Sequence, residues 1–331
     1  MKPENPSISI LMPVKNAEPF LTDCINSILS QTETDWELLT VNDGSTDNSK
    51  VILEQFAKAD KRIHVLDNDG AGIIDALRLV YSRSKGNLIT RMDADDIMPP
   101  IKLEILKRNL LSFGKGNVAL GQVKYFSDEG LRDGYRYYEA WLNGLSENGT
   151  NYSDIYRECV IPSPCWMVFR EDLDTCGAFD SDVYPEDYDL CFRFYGNGLK
   201  PIPSSEVLHH WRDHSSRSSR NDPNYADNRF LDLKLHWFLK LDHHPKKTLV
   251  VWGAASKGKA LAKGLLKAGV DFRWMCNNPN KINKHVYDKL IENVEAISAI
   301  DDLQALVAVA NKDEQANIRE HLTDEQAFFF C

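Results

Sequence analysis

No stretch of this 331-residue sequence approaches the run of about 18 apolar residues that a membrane-spanning helix requires. The opening residues Met1-Lys2-Pro3-Glu4-Asn5-Pro6 lead into nothing resembling a secretory signal, so the cytoplasm is the expected location. The seven cysteines (24, 159, 165, 176, 191, 276 and 331) form no Cys-x-x-Cys pair. That removes the usual zinc and dithiol spacings and leaves reduced thiols as the expectation. Basic charge is scarce as well: 39 Lys and Arg stand against 49 Asp and Glu, a net charge of −10, which argues against nucleic acid and against membrane attraction by bulk charge. A diphosphate ligand would need a local cation. What the chain does have is a 43% hydrophobic fraction, enough for one large core or two domains.

The most informative stretch is Leu88-Ile89-Thr90-Arg91-Met92-Asp93-Ala94-Asp95-Asp96, followed by Ile97-Met98-Pro99-Pro100, a short apolar run ending in three carboxylates. It reads as a buried strand that delivers acids to its carboxyl end. Such acids repel by about 3 kcal/mol per pair at about 5 Å and an effective dielectric near 20. A divalent cation would relieve that repulsion, and hard oxygen ligands suit Mg²⁺ or Mn²⁺ with substrate phosphates completing the shell. The competing reading is a solvated acidic turn that opens the helix at Pro100.

Elsewhere, strands and helices alternate. Residues 7–12 form a β-rich run ended by Pro13. Asn16 is placed to cap the helix that Glu18 and Pro19 open, whose apolar positions recur at helical spacing to about Gln31. A strand over 36–41 ends in Asn42-Asp43-Gly44-Ser45-Thr46-Asp47, and a short strand over 63–66 ends near Asp69-Gly70-Ala71-Gly72. Strand–helix alternation implies an α/β fold with a mostly parallel sheet, whose ligands bind beyond the strands' carboxyl ends. Pro13, Asp43 and Asp93 fall at such ends. Farther on, single strands are expected over 118–126 and 165–170, and Pro185-Glu186-Asp187-Tyr188 enters a helix whose dipole would keep Asp187 ionised near neutral pH. A strand over 206–211 leads into Arg212-Asp213-His214-Ser215-Ser216-Arg217-Ser218-Ser219-Arg220, the local positive charge a diphosphate would need.

Taken together, Pro13-Val14-Lys15-Asn16-Ala17-Glu18, Val41-Asn42-Asp43-Gly44-Ser45-Thr46-Asp47, Gly72-Ile73-Ile74-Asp75-Ala76-Leu77, Arg91-Met92-Asp93-Ala94-Asp95-Asp96, Glu186-Asp187-Tyr188-Asp189-Leu190 and Trp211-Arg212-Asp213-His214 make residues 1–241 resemble the family 2 glycosyltransferases of the GT-A fold. The resemblance implies inverting, metal-dependent transfer from a nucleotide-sugar, in this family often a UDP-sugar, to a hydroxyl of a saccharide or glycolipid in bacterial surface polysaccharide synthesis. It implies nucleotide contacts from Pro13, Val14, Asn16, Glu18, Asp43, Gly72 and Asp93. Mn²⁺ or Mg²⁺ would sit on Asp93, Asp95 and His214, and Asp187 would be the general base. It is compatible with peripheral association at the inner face of the membrane and with a homo-oligomer. Two positions depart from the family pattern: Lys15 replaces the aromatic that commonly follows Pro-Val, and Ala76-Leu77-Arg78 replaces Ala-Arg-Asn. A metal-dependent nucleotidyltransferase and a non-catalytic nucleotide-sugar-binding protein are the competing readings. The first lacks a Gly-rich, Lys/Arg-bearing loop after the opening strand, and the second has no need of Asp93, Asp95 and Asp187 together.

A polar break at Asp242-His243-His244-Pro245-Lys246-Lys247 precedes Trp252-Gly253-Ala254-Ala255-Ser256-Lys257-Gly258-Lys259. As a P-loop this stretch lacks the closing hydroxyl, since Ala260 follows Lys259. As a dinucleotide fingerprint its middle glycine is Ala255, and Asn277-Asn278 stand where an acid should bind ribose. Residues 246–331 resemble the small Rossmann-like domains attached to some glycosyltransferases, with strands expected over 271–276 and 306–310 and a helix over 314–322.

Overall fold

The structure, a computed structural model, describes residues 6–68, 70, 72–127, 130–215, 217 and 230–331. The chain divides into two compact units. Met1–Tyr152 and Val160–Ser215 form the first, and Ser153–Cys159 and Ser216–Cys331 form the second. Helix Phe230–Leu241 thus groups with the second unit, ahead of the polar break that the sequence placed at the end of domain 1–241. The reason is packing: Leu235 lies where a side chain on Gly264 would stand, so the helix Ser256–Lys267 covers it.

In the first unit, strands β1 (Ile8–Val14), β2 (Trp36–Asn42), β3 (Ile63–Asp67) and β4 (Leu88–Arg91) are parallel neighbours. Strands β5 (Asn117–Leu120), β6 (Gln122–Phe126), β7 (Trp166–Phe169), β8 (Lys200–Ile202) and β9 (Val207–Arg212) follow. The main sheet runs β3-β2-β1-β4-β7-β5-β8, with β7 antiparallel to both of its neighbours. This is the α/β, mostly parallel arrangement expected. Ile8, Ile10, Met12 and Val14 share a core with Leu21, Cys24, Ile25 and Ile28 of helix α1 (Glu18–Leu29), so alternate residues of one strand meet the 3.6-residue stripe of one helix.

The single strand expected over 118–126 is two strands in different sheets. They divide at Gly121, where a Cβ would come within 2.5 Å of Leu208, so β6 leaves the main sheet and pairs with β9 alone. Paired with β6, β9 carries the chain toward His214. No helix among the described residues is long and apolar enough to cross a membrane. All seven cysteines are free.

The second unit holds strands β10 (Thr248–Trp252), β11 (Arg273–Cys276), β12 (His285–Val286), β13 (Lys289–Asn293), β14 (Leu303–Val307) and β15 (Ala327–Phe329) in the order β12-β13-β11-β10-β14-β15. All pairs except β12–β13 are parallel. The strand expected over 306–310 lies three residues earlier, at β14, where Trp252 pairs with Val307. From β13 to β15 the order is third, second, first, fourth, fifth, the winding of a Rossmann-like sheet.

The glycine motif of this unit is a packing device. A Cβ on Gly258 would stand 2.0 Å from the carbonyl oxygen of Gly253, so only glycine lets the helix start this close to the strand. Gly258→Ala should therefore destabilise the second unit by more than about 2 kcal/mol. The check is thermal or urea unfolding, in which the variant's transition should move down. An unchanged midpoint would contradict the close approach.

Candidate active site

Each strand end of the parallel layer contributes to one rim. Beyond β1, Asn16 takes a positive φ of 50° and its side-chain oxygen accepts from the Thr46 N–H at 2.8 Å. It does not cap α1, as the sequence suggested. The cap comes from the next loop: Ser49 Oγ accepts from the Ala17 N–H at 2.9 Å and Asp47 Oδ2 from the Glu18 N–H at 3.0 Å. Glu18 returns the favour to Asn48, whose N–H and side-chain amide donate to it at 3.0 and 2.7 Å. Much of the Asn42–Asp47 signature is thus spent joining two helix starts. Val14 is buried and Pro13 half-buried at the end of β1.

Asp43, buried beyond β2, accepts through Oδ1 from Asn68 Nδ2 at 2.6 Å and from the Gly72 N–H at 3.0 Å, while exposed Lys15 stands 3.5 Å from Oδ2. Gly72, at φ 96°, precedes helix α3 (Ile73–Arg83). Asp43 therefore ties the β3–α3 loop to the rim; Asp69 and Ala71 of that loop lie outside the described residues.

Beyond β4 the three neighbouring acids separate. Asp93 stands 3.3 Å from the Arg91 guanidinium, Asp95 Oδ2 lies 2.9 Å from His214 Nε2, and Asp96 Oδ2 lies 2.9 Å from His209 Nε2. The protein itself offsets the repulsion that the sequence assigned to a cation, by giving each acid its own partner. Asp96 is turned into the core, while Asp95 and His214 keep 27% and 16% of their side chains exposed. His214 also packs on Phe20, ring centroids 4.4 Å apart. Of the cationic loop expected over 212–220, Ser216 and residues 218–220 lie outside the described residues.

Among the described residues no three His, Cys, Asp or Glu side chains converge as a complete metal site. The Asp95–His214 pair still suits a divalent ion that draws its remaining ligands from water and substrate phosphates, the usual habit of Mg²⁺ and its relatives. Asp93, which the sequence counted among the ligands, is directed to Arg91.

Arg91 connects this cluster to the fourth element of the rim. Its buried guanidinium donates to Glu186 Oε1 at 2.8 Å as well as facing Asp93. Glu186 opens helix α7 (Glu186–Gly196) and Asp187 follows it, its Oδ1 accepting from the Tyr188 N–H at 2.7 Å. The expectation that the helix start would keep Asp187 ionised is corrected here. Burial, and then the neighbouring Glu186 charge, push its pKa up to about 7 against the opposing pull of Arg91. Asp189, also in the first turn, is bound to Arg193 at 2.8 Å and serves the helix. Arg78, one of the departures noted in the sequence, holds the approach to α7 by donating to the carbonyls of Phe179 and Asp180 and to Asp182.

The sequence model described as "Glycosyl transferase family 2" matches residues 9–177, spanning the first three rim segments. The chain belongs to this family. Glycosyltransferase GlyA of Streptococcus pneumoniae serotype 4 is 29% identical over 219 residues, 64% of this chain and 31% of that protein, so the chain spans about a third of the relative's length. Among solved structures, S. aureus TarS 1-349 in complex with UDP-GlcNAc aligns with a TM-score of 0.55 at 18% identity, covering 78% of this chain and 71% of that one. The mannosyltransferase PcManGT of Pyrobaculum calidifontis, in complex with GDP-Man and Mn²⁺, aligns with a TM-score of 0.51 at 17% identity over 71% and 64% of the two chains. These likenesses place the first unit in the GT-A fold.

The family motifs thus gather on one rim: Asn16, Glu18 and Asp43 in one group, Asp93, Asp95 and His214 in a second, Asp187 beside the second through Arg91. Sequence reasoning missed Arg91 and Asn68 as members, and His209 as the buried partner of Asp96. Arg91 stood inside a quoted motif, and His209 one residue from a His-Trp pair, but nothing in their spacing marks which partner each would meet.

The raised Asp187 pKa has a stability consequence. The fold favours the protonated form, so whatever stability this group contributes is full below about pH 4 and is lost as pH rises through about 7. Asp187→Asn, which never ionises, should gain on the parent between pH 5 and pH 8 by roughly 5–10 °C in Tm, the response to about 2.5 kcal/mol in a domain of this size. Melting curves at the two pH values check it, and a gap independent of pH would contradict the assignment.

Proposed function

We propose that the chain is a metal-dependent inverting glycosyltransferase that moves a sugar from a nucleotide-sugar, of which UDP-sugars are the leading class, to a hydroxyl of a saccharide or glycolipid. One observation carries this reading: a carboxyl group tuned to about pH 7, Asp187, stands beside the Asp93–Asp95–His214 cluster with Arg91 between them. A base poised near neutral pH is what abstraction of a hydroxyl proton calls for.

Asp187 takes the proton of the acceptor hydroxyl as that oxygen attacks the anomeric carbon from the face opposite the diphosphate. The anomeric C–O bond to the diphosphate breaks with its electron pair leaving on the nucleoside diphosphate, so one displacement inverts the configuration. When bound, Mn²⁺ or Mg²⁺ at Asp95 and His214 would supply Lewis-acid neutralisation of charge on the leaving diphosphate. Arg91 holds Glu186 and Asp93 in fixed relation, and Asp43 ties Gly72 to the rim where the nucleoside would lie. Structural neighbours support the donor class, since one is bound to UDP-GlcNAc and another to GDP-Man with Mn²⁺. Relatives named hyaluronan synthase and chondroitin synthase support a polysaccharide setting.

Asp187→Asn retains size and hydrogen bonding without proton affinity. Turnover should fall by at least about 10²-fold with donor binding nearly unchanged. In the parent, kcat/KM should rise with pH through an apparent pKa near 7 as Asp187 loses its proton. Near-parent turnover in the variant would refute the base. Asp95→Ala should abolish transfer and weaken binding of UDP in the presence of Mn²⁺, measured by calorimetry; equal affinity in the two proteins would remove Asp95 from the metal site.

A further inference from the structure

We propose that Lys102 and His209 form a buried positioning chain that sets the Asp95–His214 pair to receive a divalent cation. This rests on the metal role given above to that pair. Lys102, His209 and Asp96 are 0%, 0% and 1% exposed, an unusual concentration of ionisable groups inside a core. Lys102 Nζ lies 2.5 Å from the Pro164 carbonyl oxygen and 3.2 Å from His209 Nδ1, and His209 Nε2 lies 2.9 Å from Asp96 Oδ2. An ammonium group has donors only, so Nδ1 accepts, and Nε2 carries the ring proton and donates it to Asp96. The order of donors and acceptors assigns one tautomer and one ring orientation.

The far end of the chain leads to the pair. The second oxygen of Asp96 accepts from the Arg212 N–H at 2.8 Å. Reciprocal backbone bonds between Ile97 and His210, at 3.1 and 3.0 Å, close the same seam between the acidic turn and β9. Past the seam, Arg212 Nε donates to the Asp95 carbonyl at 2.9 Å, and two residues on, His214 meets Asp95.

A buried chain of charged groups is costly to assemble, and apolar side chains of similar volume would fill the same space at least as favourably. What the polar chain adds is direction. It fixes Asp96, and through Asp96 the register of β9 against the turn, so that Asp95 and His214 stand opposed before any ion arrives. Groups behind metal ligands typically govern affinity by 10- to 100-fold in this way.

The test compares His209→Leu with His209→Gln in the full chain. The two side chains are close in volume, but only glutamine can both donate to Asp96 and accept from Lys102. Binding of Mn²⁺, alone and with UDP, is measured by the loss of the free-ion paramagnetic resonance signal, with Asp95→Ala as reference. The expected result is about tenfold weaker Mn²⁺ binding in His209→Leu and binding within about threefold of the parent in His209→Gln. Equal weakening in both would overturn the chain, because that pattern reports packing. Parent-like binding in His209→Leu beside loss in Asp95→Ala would overturn it too, while leaving the metal role of Asp95 intact; unchanged binding in Asp95→Ala would overturn both. Should His209→Leu not fold, Lys102→Met against Lys102→Arg makes the same comparison. Arginine keeps donors for Pro164 and His209 and should bind as the parent does, and equal binding by the two would overturn the proposal.

Discussion

The buried guanidinium of Arg91 is the interaction on which the first unit's rim depends. It sits at the last residue of β4, the strand that pairs with β1 in the middle of the parallel layer, and it is bound to acids on two different elements. Burial alone would disfavour its charge, but Asp93, Glu186 and Asp187 more than offset that and raise its pKa. Losing these acids would leave a charge buried without compensation, which costs at least about 3–5 kcal/mol, so the arrangement is kept as a unit. The same guanidinium that steadies Asp93 limits how far Glu186 can raise the pKa of Asp187. The proposed binding and proton-transfer functions therefore share one electrostatic hinge.

The acidic triplet shows how a fold resolves a local conflict. Three carboxylates in four residues would be unfavourable if all faced one space, yet the turn distributes them to an arginine and two histidines from distant parts of the chain. One of the three, Asp96, becomes part of the core and serves the geometry of the other two. The loop after β2 behaves similarly: its short polar side chains mostly stitch helix starts together, and Asp43 alone among its acids turns to the loop that leads into α3.

The second unit follows a different constraint, the close approach of a helix to a strand at Gly253 and Gly258. A parallel sheet wound in this order needs that approach at its first strand, so the glycine spacing is retained here whether or not a nucleotide binds. The polar residues that a full dinucleotide site would require, an acid at the end of β11 above all, are replaced by Asn277 and Asn278. Asn277 instead donates to Glu314 at 2.9 Å.

Periodicity and turn chemistry are local properties, and on their own they determined the α/β class, the parallel crossovers, the strands that end at Asp43 and Asp93, and the entry of a helix at Asp187. Each follows from residues within about one element of one another. What only the tertiary structure decided is the pairing between elements: that Asn16 binds Thr46 and leaves capping to Ser49 and Asp47, that the strand over 118–126 breaks at Gly121 to make room for Leu208, and that Lys102, His209 and Asp96 meet in the core. The same holds for the state of Asp187, where desolvation and the Glu186 charge outweigh the helix start that the sequence alone could see. The physical reason is common to all of these, since burial and charge partnership depend on distances between residues far apart in the chain, and a linear sequence carries no measure of those distances.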